Sequence, residues 1–182
     1  MGPIKPAAKG GYVYFSTFTD DFTRMKEIFL LKSKDQAVDS LCLYTQTVAI
    51  PLGFRIQRVR ADKRTKCISS AFQGFCNDSE IALGFVATVT PQHVGVSERD
   101  GRTIANIARC LLKDGNYPSN LWIEMFFEAV YNSNRSPYAT LHSATPHFKT
   151  HGKEADVTGL RAIGARAFVH VETLTTKMGD KG

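Results

Sequence analysis

Apolar and polar positions alternate in short runs over the first third of the chain, then shift to helical spacing. Residues 12–19 are aromatic and β-branched and predict a strand; Asp20-Asp21 marks a turn, and residues 26–31 predict a second strand that closes an antiparallel hairpin. Ser33 is placed as a helix cap, and Ala37, Leu41, Tyr44 and Val48 recur on one face, which predicts a helix over residues 34–49 stopped by Pro51-Leu52-Gly53. Residues 54–61 predict a strand that delivers Asp62 at its C-terminal end. A short helix over 70–77 and an apolar strand over 81–89, interrupted by Gly84, follow, and Thr90-Pro91-Gln92 opens a loop.

The strongest helical period runs over residues 96–112. Ile104, Ile107, Ala108, Leu111 and Leu112 form its core face, and Glu98, Arg102, Ala105 and Arg109 recur on another. Gly115 to Ser119 read as a cap and turn, before a second helix over 121–135 whose Trp122, Met125, Phe126, Ala129 and Val130 read as core. Residues 136–159 read as loop, 160–171 as one or two short strands, and 173–182 as a polar tail. Alternating strands and helices make the fold class α/β.

The length of 182 residues suits one domain with a sizeable core. No apolar run reaches the roughly eighteen residues of a membrane span. The first residues lack the order of a secretory signal, so a nuclear or cytoplasmic protein is expected and not a secreted one. Cys42, Cys67, Cys76 and Cys110 show no CxxC spacing, so buried or free thiols are expected in place of a zinc site or disulfide framework. The five histidines stand at no catalytic spacing with Cys or Ser, and no phosphate-loop or dinucleotide glycine pattern occurs.

Charge changes the picture more. The formal net charge is +6 and the pI about 9.2, a balance that suits a polyanionic partner. Arg55, Arg58, Arg60, Lys63, Arg64 and Lys66 crowd around Asp62, either as a solvated basic loop or as phosphate contacts. Thirty-five residues separate Asp62, at a strand end, from Glu98, at the start of the predicted helix. Carboxylates on two such elements can converge on divalent cations, as in two-metal phosphoryl-transfer sites.

At these positions the chain resembles a known family. Thr90-Pro91-Gln92 with Gly95-Val96-Ser97-Glu98-Arg99 resembles the "TPQxNGVxER" signature of copia-type retrotransposon integrases, and Arg60-Ala61-Asp62 resembles the start of their "R-x-DNGGEF". Residues 14–24 are similar to "YFVTFTDDFSR", the segment Ser119 to Pro137 to "lPxxfWxEAxxxAxYxxNRxP", and residues 160–170 to "LRVFGCRAYVH". The resemblance runs in order from Gly2 to about Val171.

It implies a ribonuclease H-like core of the retroviral integrase type, a mixed sheet flanked by helices with its first strand truncated. It implies metal-dependent DNA cleavage and strand transfer, with Asp62 and Glu98 as catalytic residues and ligands of Mg²⁺ or Mn²⁺. Gln92, Arg99 and Arg102 are implied DNA contacts; the implied partners are DNA and further copies of the chain, with no membrane. Residues 1–137 would be the catalytic core, 138–172 a post-core extension and 173–182 the tail. If Gly2-Pro3 is the family's "D-x-x-GP", the first catalytic Asp falls just before Met1, and the chain is expected to be a fragment or a reading frame begun at an internal methionine. The family's His-His-Cys-Cys zinc module has no match.

The chain departs from the pattern after Asp62, where Lys63-Arg64-Thr65-Lys66-Cys67 replaces Asn-Gly-Gly-Glu-Phe. Two glycines and a carboxylate are lost and cations gained, which should weaken metal binding. Val94 replaces a family Asn. The isolated chain is therefore expected not to be a competent integrase, either as an enzyme fragment active in a longer polyprotein or as a decayed or domesticated nucleic-acid-binding module without catalysis.

Overall fold

The computed structural model describes residues 2–62, 70–86 and 91–166. Its elements follow the order β1 (Tyr14–Thr19), β2 (Lys26–Leu31), α1 (Ala37–Tyr44), β3 (Arg58–Asp62), α2 (Ser70–Asp78), β4 (Ala82–Val86), α3 (Pro91–Asp114), α4 (Trp122–Arg135) and α5 (Pro146–His151).

β1 and β2 pair antiparallel, from Tyr14 opposite Leu31 to Thr19 opposite Lys26. The turn between them is closed by its own sequence. The Asp20 carboxylate accepts from the Thr23 amide at 2.7 Å and the Thr23 hydroxyl at 2.8 Å, and the Asp20 carbonyl accepts from the Arg24 amide at 2.9 Å. Side chains alternate across the pleat, so Phe15, Thr17, Ile28 and Leu30 share one face and Phe18 and Phe29 the other.

The first face packs on α3 and α4. Phe15, 2% exposed, meets Phe126 at 4.4 Å and Trp122 at 6.4 Å between ring centroids, within a core that also holds Ile104, Ala108, Met125 and Ala129. The second face packs on α1, where Tyr44 stacks on Phe18 at 5.1 Å and meets Phe29 edge-on.

A 3₁₀ turn, Lys34–Gln36, leads into α1, and Gln36 Oε1 accepts from the amides of Lys32 and Ser33. The helix widens into a π turn at Thr45–Ala49, where the Thr45 and Thr47 hydroxyls donate back to the Leu41 and Leu43 carbonyls.

β3 and β4 pair in parallel, with Arg58 opposite Ala82 and Asp62 opposite Val86, joined across α2. A second core of Leu41, Phe72, Cys76 and Ile81, with Val59 and Leu83 against it, holds this unit to α1 and to Phe18 of the hairpin. The α/β class is as expected. Its mixed character is divided between two two-stranded sheets, one antiparallel and one parallel, that are not hydrogen-bonded to each other among the described residues.

Four boundaries differ from the periodicity, the first being β3, which begins at Arg58 and not at Phe54. α3 begins at Pro91, not near Val96, so Pro91-Gln92 open a helix and not a loop; proline is well suited to a first helical position because its missing N–H needs no partner there. The stretch read as loop holds a 3₁₀ turn at Ala139–Leu141 and α5, whose Thr145 hydroxyl accepts from the Phe148 amide. Residues 160–166 form turns and not a strand. The predicted strand residues 87–89 and 167–171, and the substituted segment 63–67, lie outside the described residues.

Candidate functional site

The candidate carboxylates stand on the two elements that the Asp62-to-Glu98 interval joins. Asp62 is the last residue of β3, at the C-terminal edge of the parallel pair, where open α/β sheets commonly bind ligands. Glu98 is the eighth residue of α3 and lies about two turns inside it, not in the first turn as expected. The side chains of Asp62, Glu98 and Gln92 lie outside the described residues; Arg99 and Arg102 are exposed. Along α3, Gln92 and Arg99 are seven positions apart, and Glu98 and Arg102 four. From Gln92 to Arg102 the helix advances about 15 Å, so the three DNA-contact candidates form a strip along it, not a cluster.

Two hydrogen-bonded assemblies tie these elements to the turn end of the hairpin. In the first, the Asp21 carboxylate accepts from Arg24 at 2.9 Å and from Arg60 at 3.1 Å. Arg60 stands two residues before Asp62, so this bridge fixes the end of β3 beside the hairpin turn. Asp20 caps that turn, and neither Asp20 nor Asp21 is free to act as a metal ligand without giving up those partners.

The second is buried. Lys26 is 2% exposed, Asp100 6% and Asn134 3%. Asn134 accepts from the Lys26 amide at 2.9 Å and donates to the Lys26 carbonyl at 2.8 Å, joining α4 to β2. The Lys26 ammonium donates to the Arg24 carbonyl at 3.2 Å and lies 4.7 Å from the centre of the Tyr138 ring. Tyr138 donates its hydroxyl to Asp100 Oδ1 at 3.1 Å, and Asp100 Oδ2 has no hydrogen-bond partner among the described residues.

Burial pushes the Lys26 ammonium below its ordinary value, an effect that Asp100 opposes and Arg24 reinforces. The Tyr138 hydroxyl is pushed up, first by burial and then by Asp100. Asp100 lies two residues past Glu98, so the network anchors the Glu98 region of α3 to the sheet. Sequence reading passed over Lys26, Asp100 and Tyr138; the one signal was Asn134, which falls in the family's "NRxP" segment.

Among the described residues no three His, Cys, Asp or Glu side chains converge as a metal site. Two carboxylates are nevertheless a suitable protein donor set for Mg²⁺ or Mn²⁺: they are hard oxygen ligands, and Mg²⁺ is commonly held by one or two carboxylates, waters and substrate phosphates. Among the same residues no helix is long and apolar enough to cross a membrane.

This arrangement of hairpin, parallel pair and covering helices is the ribonuclease H-like fold of retroviral integrase catalytic cores. The chain matches a chain of the simian T-cell lymphotropic virus intasome in complex with PP2A regulatory subunit B56 gamma at a TM-score of 0.61 and 17% identity, covering 89% of this chain and 53% of that one. It matches the HTLV-2 integrase catalytic core domain in complex with magnesium, trimeric form, at 0.56 and 19%, covering 75% of this chain and 84% of that one. No protein-family model matches the chain.

The sequence is 34% identical over 181 residues to the retrovirus-related Pol polyprotein from transposon TNT 1-94 of Nicotiana tabacum, covering 99% of this chain and 14% of that protein. It is 27% identical over 157 residues to the corresponding polyprotein from transposon RE2 of Arabidopsis thaliana, covering 86% of this chain and 11% of that protein. The chain's homologues are retrovirus-related Pol polyproteins of plant copia-type transposons, and its fold is that of retroviral integrase catalytic cores. The chain spans about one-seventh of the length of the first of these relatives and less of the second.

Proposed function

We propose that the chain is the DNA-engaging catalytic-core segment of a copia-type integrase, with residues 1–137 as the core and 138–172 as its extension. Asp62 and Glu98 are its metal-binding carboxylates, and Gln92, Arg99 and Arg102 contact DNA. The observation that carries the reading is the placement of Asp62 at the C-terminal edge of the parallel pair, on a fold shared with an integrase core solved with magnesium. Arg60, two residues before Asp62, and the exposed Arg99 and Arg102, next to and four residues after Glu98, are cationic groups on the two elements that carry the candidate carboxylates. Such side chains would hold and align a phosphodiester through charge-assisted hydrogen bonds. A bound divalent cation would supply activation of the attacking oxygen and neutralisation of the leaving one. The dimeric and trimeric forms of the HTLV-2 core support self-association as part of the same reading.

A second reading, a nucleic-acid-binding module without catalysis, is favoured by Lys63, Arg64 and Lys66, which follow Asp62 where the family carries glycines and a carboxylate. Cations there attract phosphate and oppose a metal ion, so the isolated chain is expected to be silent in strand transfer. The experiment is a calorimetric titration of Mg²⁺ and Mn²⁺ into the chain, Asp62→Asn and Glu98→Gln, with DNA binding measured in parallel. Millimolar or tighter metal binding that weakens at least tenfold in both variants supports the first reading. Intact DNA binding with no metal binding supports the second.

A further inference from the structure

Asp21 lines an open pocket of about 320 Å³, walled by the hairpin turn on one side and the loop and helix after α4 on the other. Its lining includes Asp21, Phe22, Arg24, Thr140, His142 and Lys149. None of these residues is among the DNA contacts placed on α3.

Phe22 is 79% exposed at the tip of the turn. Isolated surface aromatics are ordinary, but this one is presented on a rigid support. Asp20 closes the turn with three hydrogen bonds of 2.7–2.9 Å, and Asp21 locks it to Arg24 and Arg60. The hydrogen-bonded turn orders the backbone beneath the ring, so a partner that covers Phe22 recovers hydration free energy and has only that one side chain to order.

The charge beside it is cationic. Among the lining residues Arg24 and Lys149 stand with the carboxylate of Asp21, which is paired with Arg24 and Arg60. The Thr140 hydroxyl and His142 ring add polar groups at the wall. A protruding ring next to a cationic cavity is the combination that binds an unstacked base together with its phosphate. The volume lies near the lower end, about 300 Å³, of pockets that hold a small-molecule-sized group.

Both walls are tethered to the candidate site, one through Arg60 to the end of β3 and the other through Tyr138 to α3. We propose that this cavity is a subsite for one unpaired nucleotide of a DNA strand, with Phe22 stacking on the base and Arg24 and Lys149 holding its phosphate. The proposal rests on the DNA-binding part of the function above and adds to it a preference for a single-stranded overhang next to the candidate site.

The test is fluorescence anisotropy of the full chain with a blunt duplex and with the same duplex carrying a short single-stranded tail, measured over a salt series. The wild-type chain should bind the tailed duplex more tightly. Phe22→Ala should weaken that binding about tenfold, within the range set by base–aromatic stacking, and leave the blunt duplex unchanged. Phe22→Trp should restore it, and Lys149→Ala should lower the salt slope for the tailed duplex by about 0.7, the single-strand contribution of one phosphate contact. Circular dichroism checks that these exposed positions leave the fold intact. If Phe22→Ala weakens both duplexes equally or neither, the subsite is wrong while the wider DNA-binding reading stands. If the wild-type chain binds neither duplex, both fall.

Discussion

Replacing Asn134 by alanine tests the buried polar network that joins the helical layer to the hairpin. Asn134 is 3% exposed and makes a reciprocal pair with the Lys26 main chain, accepting at 2.9 Å and donating at 2.8 Å across a sequence separation of 108 residues. Alanine removes both partners at once and leaves a buried amide and a buried carbonyl on β2. Each such orphan costs about 1–3 kcal/mol, and partial relaxation of a strand end lowers the total to about 2–4 kcal/mol. That is a large share of the roughly 5–15 kcal/mol by which a domain is stable.

In urea melts followed by circular dichroism, with a slope of about 2 kcal/mol/M, the midpoint should fall by about 1–2 M. Asn134→Asp should be nearly as damaging, because an oxygen would face the Lys26 carbonyl in place of the donor. Asn132→Ala removes a hydrogen bond to Glu128 nearer the surface and should shift stability by no more than about 0.5 kcal/mol. A loss below about 0.5 kcal/mol for Asn134→Ala would refute the reasoning, since it would mean that the Lys26 groups find other partners at no cost.

Phe126→Ala should cost about 3–5 kcal/mol, the range for deleting a core ring. It should also shift the emission of Trp122, the sole tryptophan, because Phe126 packs on Phe15 at 4.4 Å and on Trp122 at 5.7 Å. The Tyr44 hydroxyl is pushed up to about 12, by burial first and then by Asp20 and Glu27, so absorbance at the phenolate band should show a late-ionising component that is lost in Tyr44→Phe. The folded state keeps the Tyr44 proton that the unfolded chain releases near 10. Its contribution is therefore complete below pH 10 and is lost as pH rises from about 10 to 12. Discounted for the solvent that still reaches the ring, the loss is on the order of 1 kcal/mol, and Tyr44→Phe should abolish it in alkaline melts.

The order of strands and helices was legible in the sequence because it depends on local patterns: aromatic alternation through Phe15 and Phe18, the Ile104–Ala108–Leu111 stripe, and the Trp122–Phe126–Ala129 face. The motifs around Asp62 and Glu98 pointed to the family for the same reason, being contiguous strings. The start of α3 was misplaced because Pro91 serves equally as a loop residue and as a first helical residue, and local propensity does not choose between them. The Thr145 cap of α5 was overlooked in a stretch that is polar overall.

The sequence by itself determined the α/β order of elements and a net positive charge, and its resemblance to copia-type integrases singled out two candidate carboxylates an interval apart. Only the tertiary structure decided that Lys26 is buried, that Asn134 holds its main chain, that Asp100 and Tyr138 anchor α3, and that Asp21 joins Arg24 to Arg60 beside a cavity under Phe22. Each of these rests on groups 38 to 108 residues apart, or on the exposure of the Phe22 ring. A charged or aromatic side chain carries no local mark of the partner that a distant segment will bring to it. Periodicity therefore specifies which face is apolar, and packing specifies which polar groups end up inside it.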